Sequence, residues 1–218
     1  VTAADVRKPP TDLPPRRARL GGLRLIWLHL VSRRVPGALA TLAACGAALR
    51  AALYWHWTLG AGTGAQAVPV IIEAGAAGLI AVTTYNPIGE PERATGRWLP
   101  YLRLGTGVLL AGAAVGALAA GSAAAGLAGG TLDIARNVAG MTGIGLLFAA
   151  AAGGALAWTG PMAFMLLAQF ALSGQWTTPW IWPARPPRDL GGALCAGLVF
   201  AAGMAVIAVR GAADSVSE

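Results

Sequence analysis

Residues 83–100 read TTYNPIGEPERATGRWLP, a polar island between two long apolar runs. Glu90, Glu92, Arg93 and Arg97 fall within a few residues of one another, with Arg103 just beyond. Pro87 and Pro91 interrupt the stretch, and Pro100 closes it where the next apolar run begins. Apart from the tails, no other segment is so charged. A charged loop of this kind joining two apolar runs is the pattern of a polytopic membrane protein, and the loop is expected to be cytoplasmic and to meet a soluble partner.

Composition points the same way. Of the 218 residues 56% are apolar and 11% charged, and the mean hydropathy is +0.62, whereas about a quarter of the residues in soluble domains are charged. The 31 glycines lie mostly inside the apolar runs, which suits close helix packing in lipid. Fifteen of the sixteen cations are arginine and the pI is near 10.7, yet eight cations crowd into residues 1–34 and the rest stand near the ends of apolar runs. That distribution fits membrane orientation rather than nucleic-acid binding. Cys45 and Cys195 sit in apolar runs as packing residues. The first apolar run, near Pro36, is too long for the core of a secretory signal.

Residues 1–19, rich in proline and cations, read as a cytoplasmic tail. Over residues 20–34, Leu20, Leu23, Trp27, Leu30 and Val31 recur at helical spacing, with Arg24, Arg33 and Arg34 free to face phosphates. This predicts an amphipathic helix on the inner leaflet, the alternative being a basic flank of the first span. Six apolar runs follow, near 36–58, 64–86, 99–120, 135–158, 161–180 and 189–210, each about the 20 residues a helix needs to cross the hydrocarbon core. None alternates as a barrel strand does, so the expected fold is all-α: six transmembrane helices within residues 35–211, the amphipathic helix before them, and a cytoplasmic tail at 212–218.

With the basic tail inside, twelve cations fall on the side of the 87–98 loop and three, Arg136, Arg185 and Arg188, on the other. Both termini are therefore expected in the cytoplasm. Tyr54, Trp55 and Trp57 match an outer aromatic belt. The last outward segment, 175–189, reads QWTTPWIWPARPPRD, with Trp176, Trp180 and Trp182, four prolines and Arg185. It is expected either to dip into the membrane as short broken helices or to lie as an interfacial loop.

Arg50 and Glu73 are the two charges far from predicted helix ends, each roughly 12–14 Å deep at about 1.5 Å per residue. Intramembrane charges are costly, so an Arg50–Glu73 ion pair is expected, serving either to fix two helices or to line a translocation path. Asp133 and Arg136, three apart at the head of the fourth span, are expected to pair as a structural cap. Gly140, Gly143, Gly145, Gly153 and Gly154, and likewise Gly105, Gly112 and Gly116, suggest packing seams within or between subunits. Catalytic readings find little support. His29 and His56 fall on opposite sides of the bilayer, G-x-S-x-G and H-E-x-x-H do not occur, and the one lysine, Lys8, follows no glycine of a phosphate loop. No catalytic or metal-binding residue is expected.

In layout the chain resembles an ABC-2 type transporter permease, the transmembrane subunit of a type V ABC exporter. The resemblance spans the basic helix at 20–34, two spans, the loop IGEPERATGRWLP, three more spans and the Pro/Trp-rich segment before the last span. It is one of arrangement, since that family has no diagnostic motif. It implies that Glu90, Glu92, Arg93 and Arg97 contact a separate ATPase subunit, and that 176–188, with Trp176, Trp180, Trp182 and Arg185, is an outer gate. It also implies a second permease subunit, identical or similar, a bacterial cytoplasmic membrane, and ATP and Mg on the partner rather than a cofactor in this chain. The alternative is a non-catalytic membrane subunit that anchors or regulates a larger complex.

Overall fold

The computed structural model describes residues 34–55, 67–83, 99–123, 130–176, 178–186 and 188–210. The described residues are helical apart from short turns, and no strand occurs among them. The helices are α1 (Val35–Tyr54), α2 (Ala67–Thr83), α3 (Leu99–Ser122), α4 (Gly130–Ala152), α5 (Thr159–Gly174) and α6 (Leu190–Arg210). Two 3₁₀ turns, Gly154–Leu156 and Trp182–Ala184, precede α5 and α6. Five stretches are long and apolar enough to cross a membrane: α1, Pro100–Ser122, α4, Gly154–Gly174 and α6. The chain is thus an all-helical protein of membrane type. With 17 residues, α2 is shorter than the predicted run 64–86, and the residues flanking it there lie outside the described ones.

Helix ends follow local chemistry. Pro36 stands in the first turn of α1, where its missing N–H is harmless. The fourth run was expected to continue to residue 158 but stops at Ala152, because Gly153 takes φ 90 and turns the chain into the 3₁₀ turn. Only glycine adopts that conformation without strain, so Gly153 is a helix breaker rather than part of a smooth packing surface. At the end of α5, Gln175 is left-handed (φ 51), and the N–H of Trp176 donates to Ala171 O at 3.1 Å.

The bundle is organised around α4, whose most apolar stretch is 61% buried against 33–39% for the other four. It packs on α2, α3, α5 and α6. Helices α2 and α4 run in the same sense, since Glu73 meets Asn137 and Ala81 meets Gly145. Helix α5 runs opposite, with Gln169 beside Ala67 and Trp158 beside Gly78. The start of α3 lies by the ends of α2 and α6, where Arg103, Thr106 and Gly107 line a small cleft with Ile80, Thr83 and Ile207.

Close backbone approach sets two seams. At the α1–α3 crossing, a Cβ on Gly46 would strike the Ala117 carbonyl, and one on Gly121 would strike that of Gly46. At the α4–α6 crossing, a Cβ on Gly143 would lie 2.5 Å from the Val199 carbonyl, and one on Gly203 2.6 Å from Gly143 O. In lipid the hydrophobic drive between helices is weak, so such small-residue contact supplies much of the association energy. Gly105, Gly112 and Gly116, by contrast, meet nothing within 4 Å and form no seam within the described bundle.

Candidate functional site

Polar groups collect at one end of the bundle, where α2, α4 and α6 begin. On the face of α4 toward α2, Asn137 Nδ2 donates to Glu73 Oε2 at 2.9 Å. Both side chains are buried, 5% and 3% exposed. One turn nearer the helix start, Asp133 Oδ1 lies 2.6 Å from Arg136 Nη2, an ion pair whose angle is not that of a hydrogen bond. The expected i, i+3 pair therefore forms.

Arg136 does more than cap its helix. Its Nη1 donates to Pro186 O at 2.8 Å and its Nη2 to Arg185 O at 3.3 Å, fifty residues along the chain. A proline-rich segment cannot form a continuous helix, which leaves its carbonyls in need of outside donors; a guanidinium, with five N–H groups in a fixed fork, can serve two of them at once. Arg185 in turn grips Asp189 through both oxygens, Nε to Oδ2 at 3.1 Å and Nη2 to Oδ1 at 2.7 Å. Asp189 Oδ2 also accepts from Gly192 N at 2.6 Å, capping α6. A continuous polar chain thus ties the head of α4, the 185–186 backbone and the head of α6 together.

Trp182 closes this arrangement. It is 2% exposed, stacks on Phe164 of α5 with centroids 4.5 Å apart, and lies on Gly140, where any Cβ would enter the indole ring. Ile181 and Pro183 are buried beside it, whereas Trp176 and Trp180 are exposed. Of the outer-gate candidates, Trp182 and Arg185 are built into the bundle end, and the other two tryptophans face outward. Tyr54 and Trp55 are also exposed, at the end of α1.

The ion pair expected between Arg50 and Glu73 does not form. The inward stripe of α1 is Ala38, Leu42, Gly46 and Leu49, and Arg50, one residue past Leu49, is rotated about 100° from it and is exposed. Glu73 faces α4 and takes Asn137 as its partner instead. The Asn137–Glu73 bond and the hold of Arg136 on the 185–186 backbone escaped the sequence reading, although the run Asp133, Arg136, Asn137 at the head of an apolar helix carried a signal of an interior polar face. Of the interfacial-helix residues, Arg34 is the left-handed, exposed N-cap of α1 (φ 55); Arg24, Trp27 and Arg33 lie outside the described residues. The ATPase-loop residues Glu90, Glu92, Arg93 and Arg97 lie outside them as well.

Electrostatics reinforce the α6 cap. The Arg185 side chain, and after it the Gly192 N–H, hold the Asp189 carboxyl down from its ordinary value of 3.8 to about 2, and Asp189 raises Arg185. A depressed carboxyl contributes stability that is full above the ordinary value and is lost as pH falls toward the folded one. Thermal unfolding in detergent should therefore show a loss between about pH 4 and pH 2 that Asp189→Asn lacks, the variant already being less stable at neutral pH.

Among the described residues no three His, Cys, Asp or Glu side chains are grouped to hold a metal ion. No protein-family description, curated protein or solved structure matches this chain.

Proposed function

We propose that this chain is the transmembrane permease subunit of an ABC-2 type transporter. It moves a substrate, outward in this reading, across a bacterial cytoplasmic membrane under the power of a separate ATPase subunit. The observation that carries the reading is the segment before the last helix: 181–186 folds back into the end of the bundle, with Trp182 buried on Gly140 and Phe164 and its backbone held by Arg136. A broken segment seated on protein through Ile181–Pro183 suits a gate, because irregular backbone within a membrane survives only where protein or a water-filled cavity satisfies it.

In this proposal the run 64–86 is the sixth span. Its described part, α2, supplies 17 residues, about 26 Å of helix at 1.5 Å per residue, against a hydrocarbon core of about 30 Å. Both termini and the 87–98 loop are cytoplasmic. Two permease subunits form the conduit, ATP and Mg reside on the partner ATPase, and Glu90, Glu92, Arg93 and Arg97 transmit its motion. Binding and hydrolysis of ATP shift an inward–outward equilibrium by rigid-body movement of the bundles.

Purification from mild detergent should bring down a phosphate-loop ATPase with this chain. Charge reversal at Glu92 and Arg93 should abolish substrate-stimulated ATP hydrolysis while leaving the elution profile of the permease unchanged. Unaltered coupling in those variants would remove the loop from the mechanism.

A further inference from the structure

Glu73, on α2 where it packs against α4, is a carboxyl inside the bundle, 3% exposed, and it forms no ion pair among the described residues; in the proposed six-span reading it lies within the membrane. Its observed partner is an amide, Asn137, through Nδ2 to Oε2 at 2.9 Å. Asn137 Oδ1 is buried and has no donor. An amide oxygen left without a hydrogen bond in a low-dielectric interior is costly, and a carboxylate left without a counter-charge there is more so. One proton cures both defects. A carboxylic acid and a primary amide can exchange two hydrogen bonds, amide N–H to carbonyl oxygen and acid O–H to amide oxygen. The first of these is already present, and a proton on Glu73 is what the second requires.

Among the described residues the surrounding charges leave that position open. From α4, Arg136 is the one cation, and Asp133 is its ion-pair partner at 2.6 Å. From the 176–188 segment, Arg185 is taken by Asp189 at 2.7 Å, and Arg188 is exposed. Helix α5 contributes a neutral amide, Gln169, donating to Ala67 O. On α1, Arg50 is exposed and turned away. Arg103 on α3 and Arg210 on α6 belong to the opposite end of the bundle, where α3 starts and α6 finishes. Glu73 with Asp133 and Arg136 therefore carries two carboxyls against one cation, a deficit of one positive charge.

From this arrangement we infer that Glu73 and Asn137 form an intramembrane proton-binding site. The proton resides on Glu73, is shared with Asn137 Oδ1, and exchanges with water at the end of the bundle that the Arg136-held segment covers. The site does not depend on the proposed ATPase partner and would serve any transmembrane role of the chain.

The test uses the full chain in lipid nanodiscs and dicyclohexylcarbodiimide, which enters apolar regions and adds to protonated carboxyls. Peptide mass mapping of the wild-type protein reads the adduct without need of a variant. Glu73 should be labelled, and its initial rate should fall about tenfold per pH unit on the alkaline side of its titration, as the protonated fraction does. Sodium at constant pH should not protect it. Infrared difference spectra between acid and alkaline pH supply a second reading that does not require reagent access. A carboxylic-acid carbonyl band should disappear on alkalinisation in the wild type and be absent from Glu73→Gln, whose amide replaces the acid with little change in volume. That band without labelling still supports the site, the reagent being excluded. Absence of both overturns it, as do a labelling rate independent of pH, which means a proton that does not exchange, and protection by sodium, which means a sodium site.

Discussion

Replacing Gly143 with alanine should lower the stability of the protein by about 3 kcal/mol, the upper range for overpacking a tight interior. The added methyl would stand 2.5 Å from Val199 C and O and 2.6 Å from Phe200 Cα. These are backbone atoms of α6, so no rotamer change relieves the overlap and the helices must separate. Separation forfeits the dispersion contact that, in lipid, carries much of helix association. Across the seam, Gly203 meets Gly143 O in the same way and cannot absorb the shift. Gly112→Ala is the matched control. It adds the same methyl to a helix at a position with nothing within 4 Å, and its stability should stay within about 0.5 kcal/mol of the wild type. Denaturant titration in mixed micelles compares the two, and equal stabilities would mean that the α4–α6 crossing is not close-packed.

Arg136→Met should cost a comparable amount, about 3 kcal/mol, the low end for breaking a buried pair, because it strands a half-buried carboxylate and two carbonyls together. Asp133 loses its counter-charge, and Pro186 O and Arg185 O lose their donors. The local effect separates this from general destabilisation: amide exchange at Ile181, Ala184 and Arg185 should speed up more than in the middle of α4. In the double variant Asp133→Leu, Arg136→Met the loss should be smaller than in the single, since the Asp133 carboxylate no longer stands without its counter-charge. A loss at least as large in the double variant would show that the ion pair does not dominate and that the anchoring of the 185–186 backbone does.

How much of this was legible beforehand differs from residue to residue. The helices were readable because lipid admits only backbones that satisfy their own hydrogen bonds, so a run of twenty apolar residues is close to a statement of structure. The Asp133–Arg136 pair was readable for a similar reason, both partners lying on one helix with their spacing set by 3.6 residues per turn. The Arg50–Glu73 pair was not. Similar depth along two neighbouring runs suggests it, but pairing also requires both side chains to share an azimuth. The azimuth of Arg50 is set by the neighbouring Leu49, buried in the core with Leu42 and Ala38. Equal depth is a one-helix quantity, whereas rotation is decided by what each helix packs against.

The glycines divide along the same line. As a composition they announced tight packing, and Gly46, Gly121, Gly143 and Gly203 deliver it. Gly153 breaks a helix, and Gly105, Gly112 and Gly116 touch nothing within the described bundle. No local pattern separates these cases, because the difference lies in the partner helix.

The polar end of the bundle shows where the division falls. That the 175–189 segment could not be one helix followed from its prolines alone, since proline acts through its own covalent structure. The identity of its anchor, Arg136, and the seat of Trp182 on Gly140 depend on residues more than forty positions away. The membrane class and the all-helical fold were thus determined by the chain through its solvent, residue by residue. The partner of Glu73, the hold on the 181–186 segment and the seams between helices were decided by tertiary packing, because each is a contact between elements whose relative rotation only the assembled bundle defines.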